Sequence, residues 1–396
     1  MIAVIADDFT GAAEIGGIGL RHGLNVIIET EPIRNRQADL IIIATDTRSL
    51  RADKASKQIV QITEYLLQFN PKFIFKKIDS VLRGNIKEEL LAQMKISGKR
   101  RALVIAANPV FKRIIRDGIY YIDNIPLNET RFSSDPQYPI RSSAVKEILG
   151  ANERSLLYNL KPDDKLPKTG LIIGDVSGFD DLKKWAIHMD EHTLLAGASG
   201  FFNAILERQQ LSHPKKQKSP VPFGDKALFI LGSTFPKEID FLSNIKADGH
   251  YISNMPKEIY FNKNFDPSCL DYWADDIVKG IEEHRKVIAS IVHSPSNEPD
   301  IAFRLMENIG ELIKRVVERI DLNELLIEGG STTSVVLKYL NIKKLFPIQE
   351  LDTGVIRMKI EGFPNLCLTT KPGSYFWPDN VGIPQDMQRI NNIDYD

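Results

Sequence analysis

Apolar residues in the first half of the chain cluster in short runs, at residues 2–6, 26–28, 40–44, 73–75 and 103–107. Continuous runs of this length predict strands buried on both faces. Between several of them the apolar positions follow a helical pattern, as at residues 54–69 and 86–94. The first run stops at Asp7-Asp8, and Gly11-Ala12-Ala13-Glu14 opens an amphipathic stretch that reaches Arg21-His22-Gly23. This reads as strand, turn and helix, with Gly23 as the helix stop. Strands alternating with helices predict a largely parallel sheet covered by helices.

Residues 117–139 are richer in Pro, Asn, Asp and Tyr, which predicts short strands and loops that could cover a site. Alternation then resumes, with strands at 170–174 and 193–196 and helices at 180–188 and 202–209. A polar, basic, three-proline segment beginning at His213 reads as a linker. Beyond it, buried strands are predicted at 227–231, 287–292 and 325–327, with a helix at 301–320. The fold class is therefore α/β, with two domains at residues 1–212 and 227–396 joined by a linker at 213–226. Each domain is expected to be a largely parallel sheet flanked by helices, with the active-site cleft between them.

The length of 396 residues agrees with two cores, and 43% apolar with 26% charged residues is an ordinary globular composition. Lys and Arg total 51 against 52 Asp and Glu, so no overall positive field exists to hold a polyanion, and nucleic acid is not an expected partner. A local pair such as Lys76-Lys77 could still bind a small anion. Cys269 and Cys367, the only cysteines, form no metal-ligand spacing and no disulfide framework. No apolar stretch approaches the ~20 residues that span a bilayer, and the N-terminus lacks a basic leader region, so a cytoplasmic protein without membrane contact is expected.

In open α/β sheets ligands sit at the carboxyl ends of strands, which directs attention to three turns. Asp7 and Asp8 end the first strand, while Thr10 and Gly11 open a helix whose free N–H groups can orient a polar ligand. One aspartate could hold substrate hydroxyls while the other removes a proton or helps place Mg²⁺; equally, either could simply cap the helix. The run Lys76-Lys77-Ile78-Asp79-Ser80-Val81-Leu82-Arg83-Gly84-Asn85 gathers charged and hydroxyl groups at another strand end. Arg83 offers a planar fork for a carboxylate, Lys77 a compact charge, and Asp79 a general base; the alternative is a surface loop with an Asp79–Arg83 ion pair. Glu328-Gly329-Gly330-Ser331-Thr332 joins a strand to a helix, as a phosphate cradle or as a plain turn with a cap.

Weaker signals are Gly232-Ser233-Thr234 after a buried strand, Lys371-Pro372-Gly373 beside aromatic residues, and the small-residue turn at 196–200. No Walker A loop and no Gly-x-Ser-x-Gly elbow with identifiable partners occurs. Gly17, Gly19 and Gly23 imitate a dinucleotide fingerprint but fall inside a helix, where close packing explains them better. His188 and His192 share a helical spacing without a third ligand nearby, which reads as a solvated helix end.

With these turns in hand, the chain resembles the four-carbon acid sugar kinases, the family of threonate, erythronate and 3-oxo-tetronate kinases. Ala6-Asp7-Asp8-Phe9-Thr10-Gly11-Ala12 looks like that family's Ala-Asp-Asp-Leu-Thr-Gly-Ala, and the run from Lys77 to Asn85 resembles its Lys-x-Asp-Ser-Thr-Leu-Arg-Gly-Asn. Residues 120–139, 196–200, 232–233, 329–332 and 371–373 are similar to further family segments in the same order. Lys112-Arg113 stands where the family usually has Gly-Arg.

The resemblance implies an N-terminal acid-sugar-binding domain and a C-terminal ATP-binding domain. Carried over by position, ATP would contact Ser233, Gly329, Gly330, Ser331, Thr332 and Gly373, and the acid would contact Asp8, Lys77, Asp79, Ser80 and Arg83. The expected reaction is ATP- and Mg²⁺-dependent phosphorylation of a hydroxyl of a small sugar acid. In it Lys77 and Arg83 anchor the carboxylate, Asp8 and Ser80 hold hydroxyls with Asp7 and Thr10 beside them, and Asp8 or Asp79 takes the proton. A nicotinamide-dependent hydroxy-acid dehydrogenase and a non-catalytic acidic-sugar binding protein are the alternatives, and assembly into a homo-oligomer stays open.

Overall fold

Each predicted strand of the first half forms, shifted by at most two residues at an end. The computed structural model describes residues 1–32, 38–135, 138–151, 156–211, 221–231, 251–291 and 301–373, with Tyr375, Trp377, Pro378 and Val381 beyond them. The chain divides into two compact units, Met1–Lys216 and Gln217–Asp396. Much of the expected linker lies outside the described residues.

The first unit runs β1 (Ile2–Ala6), α1 (Phe9–Arg21), β2 (Val26–Glu29), β3 (Leu40–Ala44), α2 (Ala52–Leu67), β4 (Ile74–Lys77), α3 (Ile86–Ser97) and β5 (Arg101–Ile105). The segment rich in turn-forming residues then folds as β6 (Arg113–Arg116), β7 (Ile119–Ile122) and β8 (Ile125–Pro126), a small antiparallel sheet. After it come α4 (Val145–Ile148), β9 (Leu157–Leu160), β10 (Gly170–Gly174), α5 (Phe179–Ala186), β11 (Thr193–Gly197) and α6 (Ser199–Arg208). The main sheet is ordered β2-β3-β1-β4-β11-β5-β10-β9 and is parallel throughout.

Strand alternation decides which helix covers which face. Ala3, Ile5 and Ile43 pack against Ile59, Ile62 and Leu66 of α2. Ile2 and Leu40, which pair across β1 and β3, point the opposite way, and α1 covers them. A Cβ at Gly19 would lie 2.7 Å from both Leu40 Cδ2 and Val26 Cγ2, so this glycine lets α1 lie flush on the sheet. Packing, not nucleotide binding, is therefore the reason for Gly19.

The same alternation separates the two lysines that end β4, because Ile5 pairs with Lys76 and Ala6 with Lys77. Lys76 turns to the α2/α3 face, where it is fully buried and its Nζ lies 2.7 Å from Glu89 Oε2 of α3. It forms no anion site with Lys77, contrary to the sequence reading.

The second unit comprises β12 (Ala227–Leu231), β13 (Tyr251–Asn254), α7 (Lys257–Phe261), α8 (Ser268–His284), β14 (Lys286–Ser290), α9 (Ile301–Arg319), β15 (Glu324–Glu328), α10 (Gly330–Tyr339), β16 (Lys344–Asp352), β17 (Val355–Ile360) and β18 (Phe363–Lys371). Strands β13-β14-β12-β15-β18 are parallel, and β17 and β16 extend the sheet antiparallel. This meander is not among the strands that apolar runs predict, because β16 is only half-buried along most of its length and mixes charged with apolar residues. Among the described residues no helix is long and apolar enough to cross a membrane.

The Lys76–Glu89 pair sets a testable cost. Removing one partner strands a buried charge, so Glu89→Ala should lower unfolding free energy by about 3–5 kcal/mol, whereas Lys76→Met with Glu89→Leu should recover most of that loss. Urea unfolding of the wild type and the two variants measures both.

Candidate functional site

In the first unit β1 and β4 are neighbours, yet α1 and α3 leave them on opposite faces of the sheet. That is a topological switch point, where loops part and leave room for a ligand at the strand ends. Asp7, Asp8, Thr10, Lys77, Asp79, Ser80 and Arg83 all emerge there.

Asp8 caps α1, accepting from Gly11 N at 2.9 Å and from Thr10 Oγ1 at 2.7 Å. The capping reading therefore holds, and the capping carboxylate stands at the strand ends. The next strand supplies the counter-charge. Arg48, in the turn after β3, donates from Nε and Nη2 to the two oxygens of Asp7 at 2.9 and 3.0 Å, and from Nη1 to Asp8 Oδ2 at 3.0 Å. The same Nη1 lies 3.8 Å from Asp79 Oδ1. One nearly buried guanidinium thus serves three carboxylates. Its loop is tied down by Asn85 Nδ2, which donates to Thr47 O at 3.1 Å and Leu50 O at 2.8 Å, and by the Tyr138 hydroxyl, which donates to Arg48 O. Gly84, at φ +93, leaves space for the Arg48 stem, since a Cβ there would fall 2.9 Å from its Cγ.

Asp79 accepts from Arg83 N, Nε and Nη2 at 3.1, 2.7 and 3.0 Å, and Arg83 Nη1 donates to Asp135 Oδ2 at 2.8 Å. Lys77 Nζ donates to Ile78 O at 3.1 Å and lies 3.5 Å from Glu14 Oε2 of α1. Glu14 Oε1 in turn accepts from Ser199 Oγ, and Ser199 from Asn108. The two cations expected to anchor an acid's carboxylate thus already hold internal carboxylates.

Electrostatics follows from this crowding. Burial pushes Asp8 and Asp79 upward, but nearby cations and N–H donors outweigh it: Arg48 and Lys77 at Asp8, Arg83 and Arg48 at Asp79. Both are held below the usual carboxylate range, Asp79 far below. Asp46, at the end of β3 with a left-handed φ of 52, goes the other way. Its desolvation and the negative charges of Asp8 and Asp7 outweigh the attraction of Arg48, and its pKa is raised to about 7.

Beside Ser80 stands a further group of cations, Arg113 on β6 of the small sheet and Arg131 in the turn that follows that sheet, with Arg83 next to them. Arg113 donates to Ser80 Oγ, Tyr120 donates to Ser80 O at 2.6 Å, and the Arg83, Arg113 and Arg131 guanidinium carbons stand 5.3, 5.8 and 5.7 Å from the centre of the Phe132 ring.

In the second unit Gly329, at φ +95, turns β15 into α10, so Gly330, Ser331 and Thr332 form its first turn. Amide groups there lack intrahelical acceptors. Among the described residues a Cβ at Gly329 would meet only Thr332 Oγ1 at 3.9 Å, and one at Gly373 nothing within 4 Å, so none of them crowds either glycine. Glu328 pairs with Lys371 across β15 and β18, and Gly329 N donates to Lys371 O at 2.9 Å, which brings Gly373 beside the turn. Ser233 lies outside the described residues.

Sequence reasoning overlooked Arg48, Asp46, Glu14 and Arg131. The first two follow directly on the predicted strand 40–44, so the strand-end criterion applied to every strand would have found them. Glu14 and Arg131 carry no such signal.

A sequence profile described as a sugar-binding N-terminal domain matches residues 2–205, the part of the chain that holds these strand ends. The chain belongs to the four-carbon acid sugar kinase family. It is similar to D-threonate kinase of Salmonella typhimurium, 31% identical over 237 residues that make up 55% of this chain and 56% of that one. It is also similar to D-erythronate kinase of Heliobacterium modesticaldum, 25% identical over 86% of this chain and 85% of that one. The match thus spans little more than half of the Salmonella enzyme and most of the Heliobacterium one. The family's fold is shared by a Salmonella typhimurium protein of known structure, with a TM-score of 0.74 at 18% identity over 94% of this chain and 95% of that one.

Arg48 is the testable centre of the carboxylate cluster. Arg48→Gln leaves buried aspartates to repel one another, so stability should fall by about 3 kcal/mol at pH 7. The loss should shrink toward pH 4, where the freed aspartates take up protons. Denaturant melts of variant and wild type at both pH values test the sign.

Proposed function

We propose that the chain is an ATP-dependent kinase that phosphorylates a hydroxyl of a small, four-carbon sugar acid of the threonate, erythronate or 3-oxo-tetronate type. The observation that carries this reading is that the family match falls on the unit whose strand ends gather Asp7, Asp8, Arg48, Lys77, Asp79, Ser80 and Arg83. Buried carboxylates presented at strand ends accept hydrogen bonds from hydroxyl groups, and Ser80 and Thr10 add donors and acceptors of their own. These residues orient a polyhydroxy chain.

On the second unit, the first turn of α10 and the uncrowded Gly329 and Gly373 fit the phosphates of ATP, because glycine lets the backbone approach and the N–H groups point outward. ATP bound there supplies the phosphoryl group. Among the described residues no cluster of three acidic, histidine or cysteine side chains forms a metal cage. Mg²⁺ would be held chiefly by phosphate oxygens and water, as it commonly is in phosphoryl transfer.

The proton of the attacking hydroxyl needs an acceptor with a pKa near the working pH. Asp8 and Asp79 are poorly matched, since their oxygens already accept from Arg48, Arg83, Thr10 and Gly11 and both are held as anions. Asp46, half-buried among Asp7, Asp8 and Arg48 with its pKa raised to about 7, is the better base. In this assignment Asp8 and Asp79 orient and Asp46 accepts the proton.

ADP release measured across a panel of threonate, erythronate and 3-oxo-tetronate tests the activity, and silence with every acid removes it. Acid binding without ATP consumption would favour a binding protein instead. For the base, kcat should rise with pH through about 7 as Asp46 loses its proton. Asp46→Asn should abolish that limb and lower kcat by about 100-fold or more.

A further inference from the structure

We propose that Arg113 and Arg131, with Ser80 between the pair and the aspartate cluster, form the seat for the carboxylate of the sugar acid. The inference rests on the kinase reading for the identity of the ligand, but its evidence is the distribution of charge in the first unit.

Arg48 is taken up by Asp7 and Asp8, Lys77 faces Glu14, and Arg83 holds Asp79 and Asp135. Those carboxylates outnumber the three cations, so an acid's own carboxylate would be repelled from the centre of the cluster. Arg113 and Arg131 differ: neither has an acidic partner within ion-pair distance among the described residues. Arg113 is 8% exposed, its Nη1 is spent on Ser80 Oγ, and its buried Nε has no hydrogen-bond partner among the described residues. A buried guanidinium with no anion and an idle N–H is a costly arrangement, and a bound carboxylate relieves both deficits.

Arg131 approaches the same Phe132 ring from an exposed position, and its pKa is lowered by desolvation and by repulsion from Arg113 and Arg83. Phe111 and Phe132 flank Arg113, with ring centres 5.7 and 5.8 Å from its guanidinium carbon, and hold its planar fork in place. A planar fork suits a carboxylate better than a point charge does. The substrate would then lie with its charged end at the small sheet and its hydroxyls toward Ser80, Asp79 and Asp8, which orders the chain from carboxylate to reacting hydroxyl.

Calorimetry on the full chain tests this, with threonate and erythronate as acids and threitol and erythritol as neutral counterparts that keep the hydroxyls but lack the carboxylate. Arg113→Gln and Arg131→Ala should each weaken acid binding, by about tenfold to a hundredfold for Arg113, while polyol binding and the KM for ATP stay put. Arg131 is exposed, so its variant decides the matter if Arg113→Gln fails to fold. Unchanged acid affinity, or equal losses for acid and polyol, overturns the seat. ADP release from the wild type separates the two ideas. Acid discrimination lost in the variants without any turnover by the wild type sinks the kinase and leaves the seat; turnover with discrimination intact does the reverse. A wild type that neither binds nor phosphorylates these acids overturns both.

Discussion

The cluster of buried carboxylates at the strand ends of the first unit depends on Arg48. Asp7, Asp8 and Asp79 come from the ends of adjacent strands and are largely removed from water, a placement that costs several kcal/mol per charge unless a counter-charge is held among them. Arg48 reaches all three from the turn after β3. The central strands β3, β1 and β4 are thereby joined by side chains at their ends as well as by their ladders. Gly84, Asn85 and Tyr138, which shape or fasten the Arg48 turn, belong to the same constraint although none of them is acidic or basic.

Crowding has two opposite consequences a few residues apart. Carboxylates that reach a guanidinium or an N–H donor, such as Asp8 and Asp79, are locked as anions and suit the orienting of hydroxyl groups. Asp46, desolvated and beside the negative charges of Asp8 and Asp7, keeps its proton to near neutrality. A cluster built from like groups thus separates into carboxylates held as anions and one that holds its proton. The excess negative charge is also a reason for cations that take an anionic ligand to stand apart, as Arg113 and Arg131 do beside Phe132.

The second unit places its turn by other means. Strands β15 and β18 end in Glu328 and Lys371, neighbours in the register, and the ion pair between these two side chains fastens the strand ends beside Gly329. The antiparallel extension through β17 buries Arg357 against Glu324, and its guanidinium also donates to Val221 O and Pro222 O, so the entry of the unit is pinned to the same sheet.

Much of this was legible in the chain itself. Runs such as 2–6 and 40–44 are apolar without interruption because both faces of a parallel strand are buried, and turns that follow such runs gather the polar chemistry. Asp7, Asp8, Lys77, Asp79, Ser80, Arg83 and the Gly329–Gly330 turn are recognisable on that ground, as is Gly19 as a packing residue. Strand order, however, is written in no local pattern. That β3 lies beside β1, bringing Arg48 onto Asp7, that Lys76 and Lys77 face opposite sides of one sheet, and that Arg113 and Arg131 meet over Phe132 all follow from long-range packing. Sequence alone therefore determined which groups sit at strand ends. Only the tertiary structure decided which of them neutralise one another and which keep an unspent charge, because that depends on which strands become neighbours.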